Sequence, residues 1–232
     1  MNNIKTIKAS AAEKAYEVLR QRVVGGGYAP GEQLKEEHIA RELAISRTPV
    51  RAALKRLIDD RLATADPNRG VRVAEWTDFD IEETFDLRGL LESHAAELAA
   101  RRGGAALADV LDDLNGQMER AIHKGGDELP ERLQENNARF HRAILDASGS
   151  PRLHSILTSL IDMPIVLRSH FISTLQDKLQ SLSHHRDLAA AVRAGDGELA
   201  KQVMRLHLRV ASHRFRRQRE ALKPVGAGTD GS

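Results

Sequence analysis

The sequence predicts a mostly α-helical protein in two parts, an N-terminal winged helix-turn-helix with a small β-hairpin wing and a C-terminal all-α antiparallel helical bundle. A basic helix follows a short helix across a three-residue connection, and two short β segments around a turn come directly after it. The remaining chain alternates Leu- and Ala-rich helical segments with glycine breaks and has no strand pattern. We therefore expect domains at residues 10–76 and 77–222.

Residues 45–58 are typical of a capped amphipathic helix. Ser46 is a favourable N-cap residue, and Pro49 falls in the first turn, where backbone N–H groups have no intrahelical acceptor. The helix is therefore predicted to begin at Arg47. Its apolar residues share one face, while another face carries three cations four residues apart, Arg47, Arg51 and Lys55. That second face is predicted to meet DNA phosphates or guanine edges.

The segments around this helix favour a DNA-binding interpretation. A short helix is predicted at residues 36–43, and a further helix at 10–24. Residues 62–65 and 70–73 flank a turn rich in Pro, Asn and Gly and predict a hairpin. For the basic helix alone, an ordinary solvated surface helix is the alternative. Three helices followed by a hairpin favour the winged helix-turn-helix instead.

Three stretches of the N-terminal part carry a family resemblance: residues 31–34 (GEQL), 44–54 (AISRTPVRAAL) and 68–73 (NRGVRV). Together they closely resemble the N-terminal domain of GntR-family bacterial transcription regulators. The resemblance implies operator contacts by Arg47, Thr48 and Arg51, and a wing backbone that approaches the minor groove at Gly70. Some members have a DNA-contacting arginine at the start of the second helix. This chain has Glu37 there, so that contact is not transferred.

Composition fits a DNA-binding protein with a helical second domain. The chain has 232 residues, of which 41% are hydrophobic and only 3% aromatic, which favours cores packed from Leu, Ala and Val. Its formal charge is +2, but residues 1–76 contain fourteen Lys and Arg against ten Asp and Glu. The basic excess therefore lies in the part that is predicted to bind DNA.

Several classes of protein are excluded or disfavoured. The chain has no cysteine, which excludes disulfides and thiolate metal sites. It shows no apolar stretch of membrane-spanning length and no signal peptide, so we expect a soluble cytoplasmic protein without membrane contact. Residues 1–9 and the tail from Pro224 to Ser232 are expected to be disordered.

The C-terminal part is predicted to contain six helices with short connections. Gly103-Gly104 and Gly125-Gly126 are expected to end the first two. The predicted helices cover residues 78–102, 105–124, 129–148, 151–175, 178–194 and 196–222. Leu87, Leu90, Leu91, His94 and Leu98 form the predicted stripe of the first.

Four side chains of this bundle are candidate metal ligands. Asn137 and His141 are four residues apart and project from one helical face. His185 and His207 lie ten and twelve residues from the turn at Gly195, about 15 and 18 Å along an antiparallel pair. Neutral imidazoles and an amide oxygen at one level suit Zn, Ni, Fe or Mn. Hydrogen-bonded core histidines are the alternative, and His184 and His213 are expected to be solvated.

A second resemblance covers this region. Residues 137–149 (NARFHRAILDASG), His185 with 194–196 (AGD), and His207 look like the FCD-type effector domain of the FadR branch, and the six-helix count is similar to its VanR-like subgroup. The resemblance implies a divalent metal, with Zn, Ni or Mn expected, held by an Asp and three His beside a carboxylate effector. Asn137 stands where Asp is common, and its neutrality is expected to weaken metal binding.

Arg88 is the candidate effector-binding residue of the second domain. In the sequence Asp-Leu-Arg-Gly-Leu-Leu-Glu it matches an arginine that in similar effector domains reaches the bound acid. The alternative is a surface ion pair with Glu92 at i+4.

The sequence thus predicts a ligand-responsive transcription regulator, expected to be a repressor that binds a pseudo-palindromic operator as a homodimer. One alternative is a metal-dependent enzyme that uses the His cluster, but the sequence shows no evident Glu or Asp base beside it. The other is an architectural DNA-binding protein without an effector.

Overall fold

The computed structural model describes residues 10–67, 69–161 and 173–221. The chain separates into two compact units, Met1–Trp76 and Thr77–Ser232. The mostly helical class with one small hairpin is confirmed. The disorder predicted for residues 1–9 and for the C-terminal tail concerns segments outside the described residues.

The N-terminal unit contains three helices followed by an antiparallel hairpin. Its elements are α1 (Ala11–Gly25), α2 (Glu36–Glu42), α3 (Arg47–Asp59), β1 (Ala63–Asp66) and β2 (Gly70–Val73). Gly70 has a φ of 77°, a conformation that L side chains rarely adopt, at the start of the second wing strand. Gln33 pairs with Arg72, which attaches the chain before α2 to the wing.

Helix α3 is held against the core by its apolar face. Val50, Leu54 and Leu57 are at most 1% exposed, and they pack in the same unit as the buried Leu19 of α1. The helix begins at Arg47 as predicted. Ser46 is extended, as an N-cap residue should be, but its side chain makes no capping hydrogen bond. The buried face therefore leaves the Arg47–Arg51–Lys55 face exposed.

The C-terminal unit is a helical bundle around one long helix. Its elements are α4 (Asp78–Lys124), α5 (Leu129–Ala147), α6 (Pro151–Ile161), α7 (Leu175–Ala194) and α8 (Gly197–Ala221). Helix α4 packs against α5, α7 and α8, and the core between them is built mostly from Ala and Leu. No helix among the described residues is long and apolar enough to cross a membrane.

One sequence prediction for α4 is confirmed and another is only partly correct. The helix is interrupted at Gly103-Gly104 as predicted, because Gly104 has a φ of 54° and a ψ of −152°, which are not helical, and α4 consists of two helices joined across a kink there. Of the predicted buried stripe, Leu91 and Leu98 pack against a buried cluster. Leu87 and Leu90 are 41% and 57% exposed, whereas Ile81, Phe85 and several alanines face the core. Small alanines fill the core face because three other helices approach α4 closely.

The fourth predicted helix of the bundle, residues 151–175, is confirmed over Pro151–Ile161. Residues 162–172 lie outside the described part, and the prediction is wrong at its end, where Ser173 and Thr174 are not helical. Helix α7 begins at Leu175 because Thr174 and Asp177 form a reciprocal capping box.

Candidate metal centre and nucleic-acid interface

Three imidazoles meet in the interior of the C-terminal unit. His141 on α5, His185 on α7 and His207 on α8 are each at most 5% exposed. One ring nitrogen from each lies within 4.8 Å of the others. A zinc ion bound by all three nitrogens, at Zn–N distances of about 2.0–2.1 Å, would require the rings to move closer together. Three helices, two of them consecutive in the chain, thus supply one potential ligand set.

The packing around the cluster fixes the orientation of the rings. The rings of Phe140 and His185 are stacked, with centroids 3.9 Å apart and planes 5° apart. The His207 ring lies 5.3 Å from that of His141 and 4.8 Å from that of His185. Phe140 is fully buried, so the stacked pair has little freedom to turn.

The hydrogen bonds of the cluster leave donor atoms for a ligand. His141 Nδ1 lies 2.5 Å from Glu92 Oε2, and its Nε2 is buried with no hydrogen-bond partner in the described structure. His207 Nδ1 is also buried and unpartnered. Burial, reinforced by the neighbouring imidazoles, holds the pKa of His207 well below its usual value, so this ring is neutral. The neutral His207 ring and the unpartnered Nε2 of His141 fit a divalent metal ion.

Glu92 beside the cluster was missed by the sequence analysis. Arg88 Nε donates to Glu92 Oε1 at 2.6 Å, and both side chains are at most 4% exposed. The predicted surface ion pair is therefore buried, and a carboxylate does stand beside the histidines. Burial tends to raise the pKa of Glu92, but Arg88 and His141 outweigh it, so this pKa is lowered. A signal was present, since Arg88, Glu92 and Ala96 recur at helical spacing.

The prediction that His184 is solvated is wrong. It is 8% exposed, and its ring meets that of His207 edge-on with centroids 5.8 Å apart. Its Nδ1 is buried without a hydrogen-bond partner among the described residues, and burial lowers its pKa. The position of His184 in the sequence did not indicate its burial. Other helices pack on two sides of α7, so the residue beside His185 also faces a packed helix. His213 is exposed, as predicted.

Asn137 lies one helical turn before His141 on α5 and is 7% exposed. It is thus buried on the helix that supplies His141.

The predicted DNA-contacting side chains lie together on the surface of the N-terminal unit. The side chains of Arg47 and Arg51 are 59% and 71% exposed, and Thr48, Lys55 and Gly70 are exposed as well. Arg47 contacts Glu37. Arg51 makes two hydrogen bonds to Glu36, from Nε at 3.0 Å and from Nη2 at 2.9 Å. Each arginine of the exposed face is therefore paired with an acid at the start of α2.

The buried imidazoles predict that metal-free protein loses stability in mild acid. His207 has a folded pKa below that of the unfolded chain, near 6.5, so below pH 6.5 the unfolded state binds a proton that the folded state does not. The free energy of unfolding should fall by up to about 1.4 kcal/mol per pH unit for each such proton. Urea unfolding with chelator from pH 8 to 5.5 measures this slope.

Two variants test the origin of that slope. His207→Leu should flatten it, whereas His213→Leu, which changes an exposed histidine, should leave it as in wild type. Equal slopes in wild type and His207→Leu would show that His207 is not held neutral.

The winged helix-turn-helix with its exposed cations and the helical bundle with its buried histidines are the two parts of a DNA-binding regulator with a helical sensor domain. The FCD domain profile matches residues 83–210, and the profile of bacterial regulatory proteins of the gntR family matches residues 11–73. The chain belongs to the FCD branch of the GntR family of transcription regulators.

Individual relatives agree with this assignment. The HTH-type transcriptional repressor GlaR of Escherichia coli is 30% identical over 201 residues, which span 83% of this chain and 90% of that protein. The galactonate operon transcriptional repressor of E. coli is 26% identical and spans 80% and 88%. The structure of E. coli McbR/YncC has the same fold, with a TM-score of 0.70 at 23% identity over 91% of this chain and all of that one.

The protein is therefore a DNA-binding transcription regulator and not an enzyme. The expectation that no Glu or Asp stands beside the cluster is wrong, because Glu92 contacts His141. That carboxylate is engaged by both Arg88 and His141, which makes it a poor general base.

Proposed function

We propose that the protein represses transcription as a homodimer on a pseudo-palindromic operator, and that a small carboxylate bound at a metal ion in the helical bundle controls its operator affinity. The observation that carries the proposal is the cluster of three buried imidazoles in the C-terminal unit, in which His141 Nε2 and His207 Nδ1 have no hydrogen-bond partner among the described residues. Leaving buried polar atoms unsatisfied typically costs about 1–3 kcal/mol each, which favours a ligand there.

The proposed metal ligands are Asn137, His141, His185 and His207. An imidazole binds a metal ion in its neutral form and an amide oxygen is uncharged, so an ion of Zn, Ni or Mn bound by this set would keep its full positive charge and attract an anion. When bound, the ion supplies open coordination positions that a carboxylate oxygen can occupy. Glu92 holds Nδ1 of His141 and so directs Nε2 of that ring to the metal.

Both a buried cation near the cluster and the name of a relative support a carboxylate effector. Arg88 adds a buried cation beside the neutral ligand set, and we propose that it contributes to binding the acid. The galactonate operon repressor is named for a sugar acid, which has a carboxylate.

Homodimerisation follows from the DNA-reading geometry. One recognition helix contacts only a few base pairs, whereas two helices related by a two-fold axis read half-sites about one DNA turn apart. The C-terminal unit exposes large apolar side chains on α4, among them Phe79 at 69% and Leu90 at 57%. Such side chains are candidates for an interface between two copies.

The DNA-binding part of the proposal predicts different effects for two cations of α3. Arg51→Ala should weaken binding to the operator by about 1–3 kcal/mol and relax base preference, because a bidentate guanine contact is lost. Lys55→Ala should weaken binding more evenly across sequences. Fluorescence anisotropy with a duplex selected from a random library, and with an unrelated duplex, measures both. Unchanged affinity and salt dependence in an Arg47→Ala, Arg51→Ala double variant would exclude α3 as the reading helix.

The coupling between the two domains is tested with an effector. Carboxylates are first screened by thermal shift on metal-loaded protein, and operator affinity is then measured with and without the best acid. A coupling of roughly 1–3 kcal/mol would change that affinity by about 5- to 150-fold. His185→Ala should abolish the change while retaining operator binding. An acid that binds the bundle but leaves operator affinity unaltered would contradict the proposal and favour an architectural protein with a structural bundle.

A further inference from the structure

Two acids stand on the DNA-reading face, where the phosphate backbone would repel them. Glu36 and Glu37 open α2, and each is joined to one of the arginines at the front of α3. The side chains of Arg47, Arg51 and Glu37 are all more than half exposed and that of Glu36 is 29% exposed, so neither pair is enclosed in the core. Exposed ion pairs contribute little to stability. The pairs therefore need an explanation other than folding.

The geometry of the Glu36 pair points to orientation of a guanidinium. Its two oxygens accept from Nε and Nη2 of Arg51, which is the bidentate arrangement that fixes the plane of the guanidinium group. The opposite edge, formed by Nη1 and Nη2, makes no further hydrogen bond to any residue that the structure describes. That edge has two donors in the spacing of guanine O6 and N7. The hydrogen bonds from Arg51 lower the pKa of Glu36, so the pair is charged at neutral pH.

The Glu37 pair has a different consequence. Arg47 contacts one oxygen of Glu37, on the exposed surface. A free arginine at this position would bind any phosphate, which raises affinity for all sequences alike. Pairing with Glu37 reduces that attraction, because the arginine must exchange one anion for another.

We propose that Glu36 and Glu37 are specificity-determining residues: Glu36 orients Arg51 for a guanine, and Glu37 suppresses the binding of Arg47 to phosphates of unrelated DNA. This inference rests on the DNA-reading role proposed above for Arg47 and Arg51. The two acids thus lower the affinity for unrelated DNA more than the affinity for the operator. The ratio of operator affinity to non-specific affinity increases as a result.

The test compares charge-removing variants of the full-length protein. The DNA is a duplex selected from a random library, the same duplex with one guanine contact changed, and an unrelated duplex. Glu36→Gln should reduce discrimination between the first two duplexes by about fivefold or more. Glu37→Gln should tighten binding to the unrelated duplex. It should also steepen the dependence of log affinity on log salt concentration by up to about 0.9, the value for one additional phosphate contact. Glu42→Gln is the matched control, because this α2 acid pairs with Arg22 of α1 instead.

A double-mutant cycle separates this inference from the role of the arginines. Adding Glu36→Gln to Arg51→Gln should cause no further loss of discrimination, since the group that Glu36 orients is already absent. If Arg51→Gln weakens operator binding while Glu36→Gln and Glu37→Gln behave like Glu42→Gln, the acids have no role in specificity and the inference is overturned. If Arg51→Gln itself leaves discrimination unchanged, Arg51 does not read the operator, and the role proposed for Glu36 is excluded together with that of Arg51. Circular dichroism confirms folding of each variant.

Discussion

His141→Ala, His185→Ala and His207→Ala should each abolish tight binding of Zn, Ni and Mn. Each substitution removes one of three buried imidazoles whose donor atoms lie within 4.8 Å, so the loss should exceed the roughly 10- to 100-fold typical of an outer-shell change. Asn137→Asp should tighten binding, because it restores a negative charge to a neutral ligand set. Competition titration against a chromophoric chelator measures the affinities.

Two further variants test the specificity of these effects on metal binding. Glu92→Gln should weaken metal binding by about 10- to 100-fold, because an amide is a poorer partner than a carboxylate for the His141 Nδ1 proton. His213→Ala changes an exposed histidine of α8 and should have no effect. Wild-type protein that binds none of the three ions, even when they are added in excess, would exclude a metal centre. The histidines would then remain candidates for direct hydrogen bonding of the acid.

Arg88→Met should destabilise the protein by about 3–5 kcal/mol. It leaves Glu92 as a buried charge without its guanidinium partner, and an unpaired buried charge is far more costly than an absent pair. Adding Glu92→Gln should recover most of the loss, since the amide oxygen can still accept from His141 while the charge is gone. Urea unfolding of the metal-free proteins at pH 7.5 measures these changes.

Arg101→Met is the matched control for Arg88. Arg101 also pairs with a glutamate at i,i+4 spacing on α4, at 2.7 Å from Glu97, but its side chain is 57% exposed. Water can replace its contacts, so its loss should shift the urea midpoint much less. Equal midpoints for Arg88→Met and Arg101→Met would show that burial of the Arg88–Glu92 pair does not make it important for stability.

Local signals in the sequence predicted most of the fold. The start of α3 at Arg47, the hairpin after it and the helical character of the C-terminal unit all follow from residue patterns within a short window. Equal spacing from Gly195 also predicted that His185 and His207 lie at one level, and the structure brings them together with His141. The exposed cations of α3 were likewise identified, since an amphipathic helix has only one face to pack.

The environment of the candidate site depended on tertiary packing. The buried face of α4 was partly misassigned because three helices surround it, so that Arg88 and Glu92 are buried while Leu87 and Leu90 are exposed. The interruption at Gly103-Gly104 was predicted correctly, but its form as a kink between two consecutive helices was not, since a glycine pair permits either a kink or a turn. The pairing of Arg47 and Arg51 with α2 depends on how the turn at residues 44–46 orients two helices, which no periodicity within either helix encodes.

The fold class, the exposed basic face of α3 and the common level of His185 and His207 can be predicted without any tertiary information, because capping, periodicity and distance along a helix are local properties of the chain. Which charges are buried, and with which partners, depends on how the helices pack. Packing brings Glu92 to His141, His184 beside His207, and Arg47 and Arg51 to acids of α2. Burial and pairing arise between different elements of the fold, and the pKa of a group and the availability of its hydrogen bonds follow from them.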